Sequence, residues 1–195
     1  FENKEIFQNN FPADFIAEGL DQTRGWFYSL LNLSVGIFDK ASYKNVIVNG
    51  ILLAEDGEKM SKSKNNFTDP MILVEKFGAD SFRQTLLSSP AMCAENILFS
   101  DKAVEETYKK IVAKLENVLS FYESTINHQP VSVDTKDPLC IWILERLKDV
   151  IQSTTEAMNN YKLDQATRPF EKFIDDLSTW FLRRSREKLK DNDEE

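Results

Sequence analysis

The sequence NVIVNGILLAEDGEKMSKSKNN, residues 45–66, joins an apolar segment to a loop that is rich in lysine. Residues 45–54 are mostly β-branched or aliphatic and Gly50 interrupts them, which predicts a strand, a kink and a second extended segment. The pair Asp56–Gly57 is a turn signal after that segment. We name residues 54–66 the lysine loop. Its three lysines are Lys59, Lys62 and Lys64.

The lysine loop contrasts with the charge of the whole chain. The 195 residues carry a formal net charge of −8, and 42% of them are hydrophobic. An acidic surface repels nucleic acid, so binding of a polyanion must use local basic clusters. The two cysteines, Cys93 and Cys140, match no metal-ligand spacing, so we expect reduced thiols and no metal site. No apolar run approaches the roughly 20 residues that cross a bilayer, and no secretory leader is visible, so we expect a cytoplasmic protein without a membrane segment.

The residues of the lysine loop allow two interpretations. A run of charges is usually a solvated surface. Against this, the loop follows an apolar strand, which is the usual place for ligand-binding loops in α/β sheets. Ser61 and Ser63 can donate hydrogen bonds to phosphate oxygens, and Met60 can fix the loop to the body of the protein. A flexible lysine suits an anion whose charge moves during a reaction. From the residues alone, a solvated loop and a phosphate site both remain open.

A second polar segment lies upstream of the lysine loop. We expect irregular structure over residues 1–10, a short strand over residues 14–17 and a helix from about residue 23. Between strand and helix, residues 18–22 form what we name the polar turn. Its two carboxylates and one amide can hold hydroxyl or ammonium groups, and its glycine permits a ligand to approach the backbone. The candidate residues here are Glu18, Gly19, Asp21, Gln22 and the nearby Trp26.

Downstream of the lysine loop the sequence predicts helices. Asp69 is a candidate N-cap followed by Pro70, Gly78 is a stop, and Asp80 is a candidate cap for a second short helix. From residue 100, apolar residues recur at spacings of three and four in three long segments, which predicts an antiparallel helical bundle. The predicted division has three parts: residues 1–66 as an α/β domain, residues 67–99 as a short helical connector and residues 100–195 as a helical domain.

The string KMSKS, residues 59–63, is identical to the signature loop of class I aminoacyl-tRNA synthetases. FPADFIAEGLDQTRGWFYSLL (11–31), DPMILVEKFGADSFRQTLLSSP (69–90) and IDDLSTWFLRRSRE (174–187) resemble the same proteins. Within the class, the closest resemblance is to isoleucyl-tRNA synthetases of the eukaryotic cytosolic kind, over nearly all of the chain. The resemblance implies an α/β plus all-α fold. The α/β part would be the second half of a Rossmann-like catalytic domain, and a helical-bundle anticodon-binding domain would follow it.

The resemblance also implies a reaction and its participants. Isoleucine and ATP, with Mg²⁺ carried by the nucleotide, form the aminoacyl-adenylate, and the aminoacyl group then passes to tRNA(Ile). Lys59 and Lys62 would stabilise the charge that develops on the phosphates. Met60, Ser61 and Ser63 would shape and anchor the loop, while Lys64 lies outside the motif.

Other residues receive roles from the same resemblance. In the family, the polar turn lines the adenylate pocket, which gives Glu18, Gly19, Asp21 and Gln22 as binding residues. Trp26 would be a wall of the amino-acid pocket, with a plain core residue as the alternative. Backbone at Gly50 and Ile51 would meet the adenine. These adenylate-binding residues add to the loop residues Met60, Ser61 and Ser63.

A basic cluster near the end of the chain is the candidate tRNA-binding surface. Its residues are Arg183, Arg184, Arg186 and Lys188. Such a cluster can neutralise several phosphates, and its binding should weaken with added salt. The alternative is a helix C-terminus whose cations complement the helix dipole. The two interpretations are equally compatible with the residues.

The chain departs from the family in one respect. Class I synthetases carry a second signature, His-Ile-Gly-His or a close variant, and the only histidine here is His128. We therefore expect the chain to be part of a longer protein and not to activate isoleucine alone. We also expect the longer protein to be a monomer. Two alternatives stay open: a synthetase for another branched amino acid, and a non-catalytic RNA- or protein-binding module built on the same scaffold.

Overall fold

The computed structural model describes residues 3–61, 63–125 and 136–190, with side chains up to residue 187. Lys62, His128 and the side chain of Lys188 therefore lie outside the described part. The chain divides into two compact units. The first unit contains residues 1–66 and 89–99, and the second contains residues 67–88 and 100–195. The three-part division expected from the sequence stays a prediction, and each unit is described by itself below.

The first unit contains a strand–helix–strand motif. Its helices and strands are α1 (Lys4–Asn10), β1 (Ala13–Gly19), α2 (Trp26–Phe38), β2 (Tyr43–Asn49), β3 (Leu52–Leu53) and β4 (Ile97–Leu98), with 3₁₀ turns at Leu20–Arg24 and Pro90–Cys93. β1 and β2 pair in parallel, with Ala13 opposite Tyr43 and Gly19 opposite Asn49. β3 pairs in parallel with β4. Ile16 in β1, Phe27 in α2 and Ile47 in β2 are buried apolar residues of this unit.

The prediction of irregular structure over residues 1–10 is wrong for residues 4–10, which form α1. The ring of Phe7 lies 4.8 Å from that of Phe11 and 5.2 Å from that of Phe38. This aromatic packing stabilises α1, a polar helix of two turns that would be marginally stable in isolation. Because Phe38 is distant in sequence, no local pattern in the first ten residues predicts α1.

The second unit begins with two short helices, α3 (Pro70–Phe77) and α4 (Ala79–Leu87). The side chain of Asp69 accepts a hydrogen bond from the backbone N–H of Met71 at 2.8 Å, which is the predicted N-cap. Gly78 ends α3 with a φ of +82°. The prediction that Asp80 caps α4 is wrong, because the helix already begins at Ala79 and Asp80 forms an ion pair with Arg83 instead.

The remaining helices form three long runs, as the apolar pattern predicts. Their helices are α5 (Asp101–Thr107), α6 (Ala113–Thr125), α7 (Pro138–Asn159), α8 (Leu163–Thr167), α9 (Pro169–Asp175) and α10 (Leu182–Lys190). π-helical turns at Tyr108–Val112 and Asp176–Phe181 join α5 to α6 and α9 to α10. Val104, Ile143, Val150 and Ile174 are buried in this unit. In the described part of the chain, no helix has both the length and the apolar character that spanning a membrane requires.

Candidate functional site

The ends of β1 and β2 bring two predicted segments to the same place. In the parallel pair, Glu18 lies opposite Val48, and Gly19 lies opposite Asn49. The carboxyl ends of both strands therefore meet at one edge of the sheet, which is the usual ligand-binding edge of an α/β sheet. The polar turn leaves this edge from β1, and Gly50 leaves it from β2. The structure thus places the polar turn and the predicted adenine-contacting backbone at the same edge.

Side chains of the polar turn organise one another and the start of α2. The side-chain oxygen of Gln22 accepts a hydrogen bond from the backbone N–H of Trp26 at 2.8 Å. The amide nitrogen of Gln22 donates to Asp21 at 3.2 Å. A Cβ atom at Gly19 would lie 2.7 Å from the carboxylate of Asp21, so a larger residue there would displace that carboxylate. In this structure Gln22 has a capping role, and its predicted contact with the adenylate stays a prediction.

Trp26 is the first residue of α2 and remains 44% exposed, whereas the adjacent Phe27 is buried at 5% exposure. The two ring centroids are 6.0 Å apart. Phe27, and not Trp26, therefore belongs to the apolar core of the first unit. The indole of Trp26 offers an apolar surface directly after the polar turn, where the predicted amino-acid pocket would need one.

The backbone at Gly50 and Ile51 is fixed by a segment that is distant in sequence. The N–H of Gly50 donates to the carbonyl of Ala91 at 2.8 Å, and the N–H of Ile51 donates to the side-chain oxygen of Asn96 at 2.9 Å. A Cβ atom at Gly50 would lie only 1.9 Å from the carbonyl oxygen of Glu95. Sequence analysis missed Asn96, because no periodic pattern links residues 45 positions apart.

The first half of the lysine loop is a tight turn. Leu53 and Lys59 form an antiparallel bridge, and the N–H of Ala54 donates to the carbonyl of Glu58 at 2.9 Å. The side chain of Asp56 accepts from the N–H of Glu58 at 2.9 Å. Gly57 has a φ of +81°, a conformation that glycine adopts without strain. These contacts form the turn that the Asp56–Gly57 pair predicts, and they bring Lys59 back beside the end of β3.

The second half of the lysine loop is organised by hydroxyl and amide groups. The hydroxyls of Ser61 and Ser63 lie 2.8 Å apart in a mutual hydrogen bond. The side chain of Asn66 accepts from the N–H of Ser61 at 2.9 Å and donates to the carbonyl of Lys59 at 3.4 Å. Asn66 is a second residue that sequence analysis missed. Its position could have indicated this role, because an asparagine within a polar loop commonly bonds nearby backbone.

The cations of the lysine loop differ in their surroundings. Lys64 forms an ion pair with Glu58, so its charge is partly neutralised within the loop. Lys59 is exposed, and among the residues that the structure describes it forms no ion pair. Met60, next to it, is half-buried, and its role as the anchor of the loop stays a prediction. Lys59 is therefore a cation that is available to a bound anion. Lys62 lies outside the described residues, and its role stays a prediction.

The second unit carries the predicted basic surface on α10. Arg183, Arg184 and Arg186 are exposed, while Ser185 between them is buried. The guanidinium of Arg184 lies 3.9 Å from the ring centroid of Trp180, which is itself 49% exposed. Such stacking holds a guanidinium in place while its N–H groups stay available to a ligand. The three arginines are therefore accessible, together with the adjacent aromatic ring of Trp180, and their binding to tRNA stays a prediction.

Acidic residues of the same helical run are neutralised by other helices. Asp175 forms an ion pair with Lys114, and Asp176 forms one with Arg146 at 3.1 Å. The hydrogen bond from Lys114, followed by one from the hydroxyl of Thr179, holds the pKa of the Asp175 carboxyl below its usual value. These carboxylates are thus occupied by structural partners. They therefore neutralise less of the positive charge on the α10 surface than the sequence suggests.

Comparison with known proteins identifies the family. Residues 1–98 match the family described as "tRNA synthetases class I (I, L, M and V)". The chain belongs to the class I tRNA synthetases. Residues 141–195 of this synthetase segment match a second family, "Anticodon-binding domain of tRNA ligase", and these residues include α8 to α10 and all of α7 except its first three residues. The resemblance that rests on the KMSKS string is therefore confirmed.

Curated relatives of this synthetase segment match it along its length. The isoleucine–tRNA ligase of Protochlamydia amoebophila is 44% identical over 199 residues, which cover 100% of the chain and 19% of the relative. The isoleucine–tRNA ligases of Chlamydia caviae and Treponema denticola are 47% and 44% identical, and each alignment covers 97% of the chain and 19% of the relative. The chain thus spans about a fifth of these relatives. All three are bacterial, and a eukaryotic cytosolic origin stays a prediction.

Solved structures show the same fold. The Mycobacterium tuberculosis methionyl-tRNA synthetase in complex with methionyl-adenylate superposes with a TM-score of 0.73 at 20% identity, covering 96% of this chain and 37% of that chain. The ternary complex LeuRS–tRNA–LeuAMS of Agrobacterium radiobacter gives a TM-score of 0.67 at 21% identity, covering 91% of this chain and 23% of that chain. The predicted fold, a part of the class I catalytic domain followed by anticodon-binding helices, is confirmed.

Proposed function

We propose that this segment belongs to an isoleucine–tRNA ligase, which activates isoleucine with ATP and transfers it to tRNA(Ile). The observation that carries the proposal is the intact KMSKS loop, with Lys59 exposed, in a chain that is 44–47% identical to isoleucine–tRNA ligases over nearly all of its length. A segment that had lost catalysis would have no need of these lysines.

The first reaction places an electrostatic demand on the lysine loop. The carboxylate of isoleucine attacks the α-phosphorus of ATP, a new C–O–P linkage forms, and pyrophosphate leaves. Negative charge grows on the α-phosphate oxygens and on the departing pyrophosphate. A preorganised cation in a site that excludes water stabilises this charge more than it stabilises the substrate. Lys59 is the described cation suited to this role, and the motif gives Lys62 the same role.

The edge of the β1–β2 sheet supplies the remaining contacts in this proposal. Glu18 and Asp21 bind the ribose hydroxyls or the amino group of the substrate, and Gly19 allows the nucleotide close to the backbone. Backbone at Gly50 and Ile51 meets the adenine. Among the described residues, no cluster of three or more His, Cys, Asp or Glu side chains is arranged to hold a metal ion. In this proposal Mg²⁺ enters the site bound to the phosphates of ATP.

The basic surface on α10 binds tRNA in this proposal. Arg183, Arg184 and Arg186 contact phosphates of the anticodon arm, and Lys188 extends the same cluster. Each phosphate contact releases a counterion, so the affinity should fall with rising salt. The enzyme would act as a monomer in the cytoplasm, where its tRNA substrate is found.

The test measures ATP–pyrophosphate exchange by the full-length enzyme with isoleucine, valine, leucine or methionine as the substrate. Each measurement is repeated with the Lys62→Ala variant. Exchange that saturates with isoleucine at the lowest concentration, and that is lost in the variant, supports the proposal. Preference for another amino acid would contradict the assigned substrate but not the class of reaction. A folded full-length protein without exchange would favour a non-catalytic RNA- or protein-binding module.

A further inference from the structure

The side chain of Asn66 bridges two backbone groups of the KMSKS motif. Its oxygen accepts from the N–H of Ser61 at 2.9 Å, and its nitrogen donates to the carbonyl of Lys59 at 3.4 Å. The two bonds use the opposite halves of one amide group, which only asparagine or glutamine can offer. Asn66 lies three residues beyond the motif and is half-buried, so its position is set by the structure around it.

The bridge closes a segment that has few other constraints. In the described part of the chain, no other side chain forms a hydrogen bond with the backbone of residues 59–61. The remaining links are the bridge between Leu53 and Lys59 and the bond from the N–H of Lys64 to the carbonyl of Ser61 at 3.2 Å. Asn66 therefore determines how the backbone runs on each side of Met60, and with it the point from which the Lys59 side chain starts.

The position of the Lys59 backbone matters because its side chain is long and flexible. A lysine with four rotatable bonds loses side-chain entropy when it is held against one ligand. Fixing its backbone in advance reduces the number of arrangements in which the ammonium misses the phosphates. Small displacements of a catalytic group can lower the rate strongly even when the group itself is unchanged.

We propose that Asn66 is a positioning residue for adenylate formation, acting through the backbone of Lys59 and Ser61. This inference rests on the proposed function, since it assigns Asn66 to the activation step of that reaction. Transfer of the aminoacyl group from adenylate to tRNA follows pyrophosphate departure, so it does not need the charge that Lys59 provides. Asn66 should therefore matter for the first step and not for the second.

The experiment compares the full-length wild type with Asn66→Ala in both steps. We expect kcat for isoleucine-dependent ATP–pyrophosphate exchange to fall about tenfold, as the loss of one or two ordinary hydrogen bonds predicts, with the KM for ATP changed by less than about threefold. The single-turnover rate of transfer from preformed adenylate to tRNA should stay unchanged. A variant that is merely less well folded would lower both steps together.

Two further variants sharpen the test. In a Lys59→Ala background, Asn66→Ala should cause little additional loss, because a residue that acts through Lys59 has no effect once that side chain is absent. Asn10→Ala is the matched control, since Asn10 donates one side-chain bond to the carbonyl of Ile6 at 2.7 Å in α1, away from the lysine loop. It should leave both steps at the wild-type rate.

The outcomes separate the two proposals. A wild-type enzyme without isoleucine-dependent exchange would overturn the proposed function, and the role of Asn66 with it. An active wild type with an equally active Asn66→Ala variant would overturn the role of Asn66 alone. Equal loss in both steps, or a full additional loss in the Lys59→Ala background, would also overturn it, because either result means that Asn66 does not act through Lys59.

Discussion

The side-chain oxygen of Asn96 accepts a hydrogen bond from the backbone N–H of Ile51 at 2.9 Å. This contact ties the segment before β4 to the backbone that leaves the carboxyl end of β2. Two backbone bonds follow in register, from Ile97 to Ile51 at 3.1 Å and from Phe99 to Leu53 at 2.9 Å. The residues after β2 therefore run in a direction that the segment 95–99 sets, and this direction leads into the lysine loop.

Asn96→Ala tests whether this contact supports nucleotide binding. Without the side chain, the N–H of Ile51 loses its acceptor and the adenine-facing backbone is less constrained. An exposed hydrogen bond is worth about 1 kcal/mol, so we expect the KM for ATP to rise a few-fold while the KM for isoleucine is unchanged. Initial rates of pyrophosphate exchange measure both constants. Asn45→Ala, which removes a bond to the carbonyl of Asp14 at the opposite end of the sheet, is the control. A similar rise in both variants would contradict the assignment.

Gly50→Ala should destabilise the protein. The added Cβ would lie 1.9 Å from the carbonyl oxygen of Glu95, and backbone cannot move aside as a flexible side chain can. We expect a lower melting temperature and a loss of free energy of unfolding that is typical of an overpacked site, about 1–3 kcal/mol. Gly36→Ala is the matched control, because a Cβ there meets nothing within 4 Å and Gly36 lies inside α2. Replacing a helical glycine by alanine should be neutral or stabilising, by up to about 1 kcal/mol. Equal melting temperatures for both variants would show that the close approach at Gly50 is absent in solution.

Lys59→Ala and Lys64→Ala should differ in activity. Lys59 is available to the phosphates, whereas Lys64 is already paired with Glu58. Removing a group that stabilises developing charge lowers kcat by about 10²-fold or more, so we expect a loss of this order for Lys59→Ala. Lys64→Ala should retain activity within about threefold, because an exposed ion pair contributes little. Exchange kinetics of both variants decide the point. A larger effect at Lys64 would reverse the assigned roles.

The basic surface on α10 predicts a salt-dependent loss of tRNA affinity. Arg183→Ala and Arg186→Ala should each weaken tRNA binding and reduce the slope of log K against log salt by about one unit per lost phosphate contact. Filter binding over a series of salt concentrations measures the slope. Lys148→Ala is the control, because Lys148 is an exposed cation on α7 that already pairs with Glu145. An unchanged slope in both arginine variants would support the alternative, in which these cations serve only the end of the helix.

The contrast between Asp69 and Asn96 shows what the sequence can predict. Asp69 caps a helix that begins at the next residue, so its role is local and readable from the Asp-Pro pair. The KMSKS string is likewise a local pattern, and it indicated the family. Asn66 bonds backbone only five and seven residues away, and the contacts of Asp80 depend on where α4 begins. Asn96 and α1, in contrast, depend on partners that are distant in sequence and are brought near by folding. Periodicity and capping signals do not record such tertiary contacts.

The ion pair of Lys114 with Asp175 predicts a pH-dependent difference in stability. The hydrogen bond from Lys114, aided by the hydroxyl of Thr179, lowers the pKa of Asp175 from its usual 3.8. A carboxyl whose pKa is lowered in the folded state binds protons more weakly there than in the unfolded state. Its contribution is therefore fully present above pH 3.8 and is lost as the pH falls through the lower folded value.

Asp175→Asn isolates this contribution. Because both partners are partly exposed, we expect the variant to be less stable at neutral pH by only a few tenths of a kcal/mol, up to about 1 kcal/mol. The difference should begin to shrink below about pH 4, where the unfolded carboxyl takes up its proton, and disappear as the pH falls through the lower pKa of the folded carboxyl. Urea unfolding of both proteins at several pH values measures it, with Asp80→Asn as the control, since Asp80 forms a more exposed pair with Arg83. A difference between Asp175→Asn and wild type that persists in acid would show that Asp175 stabilises the helical unit through something other than its charge.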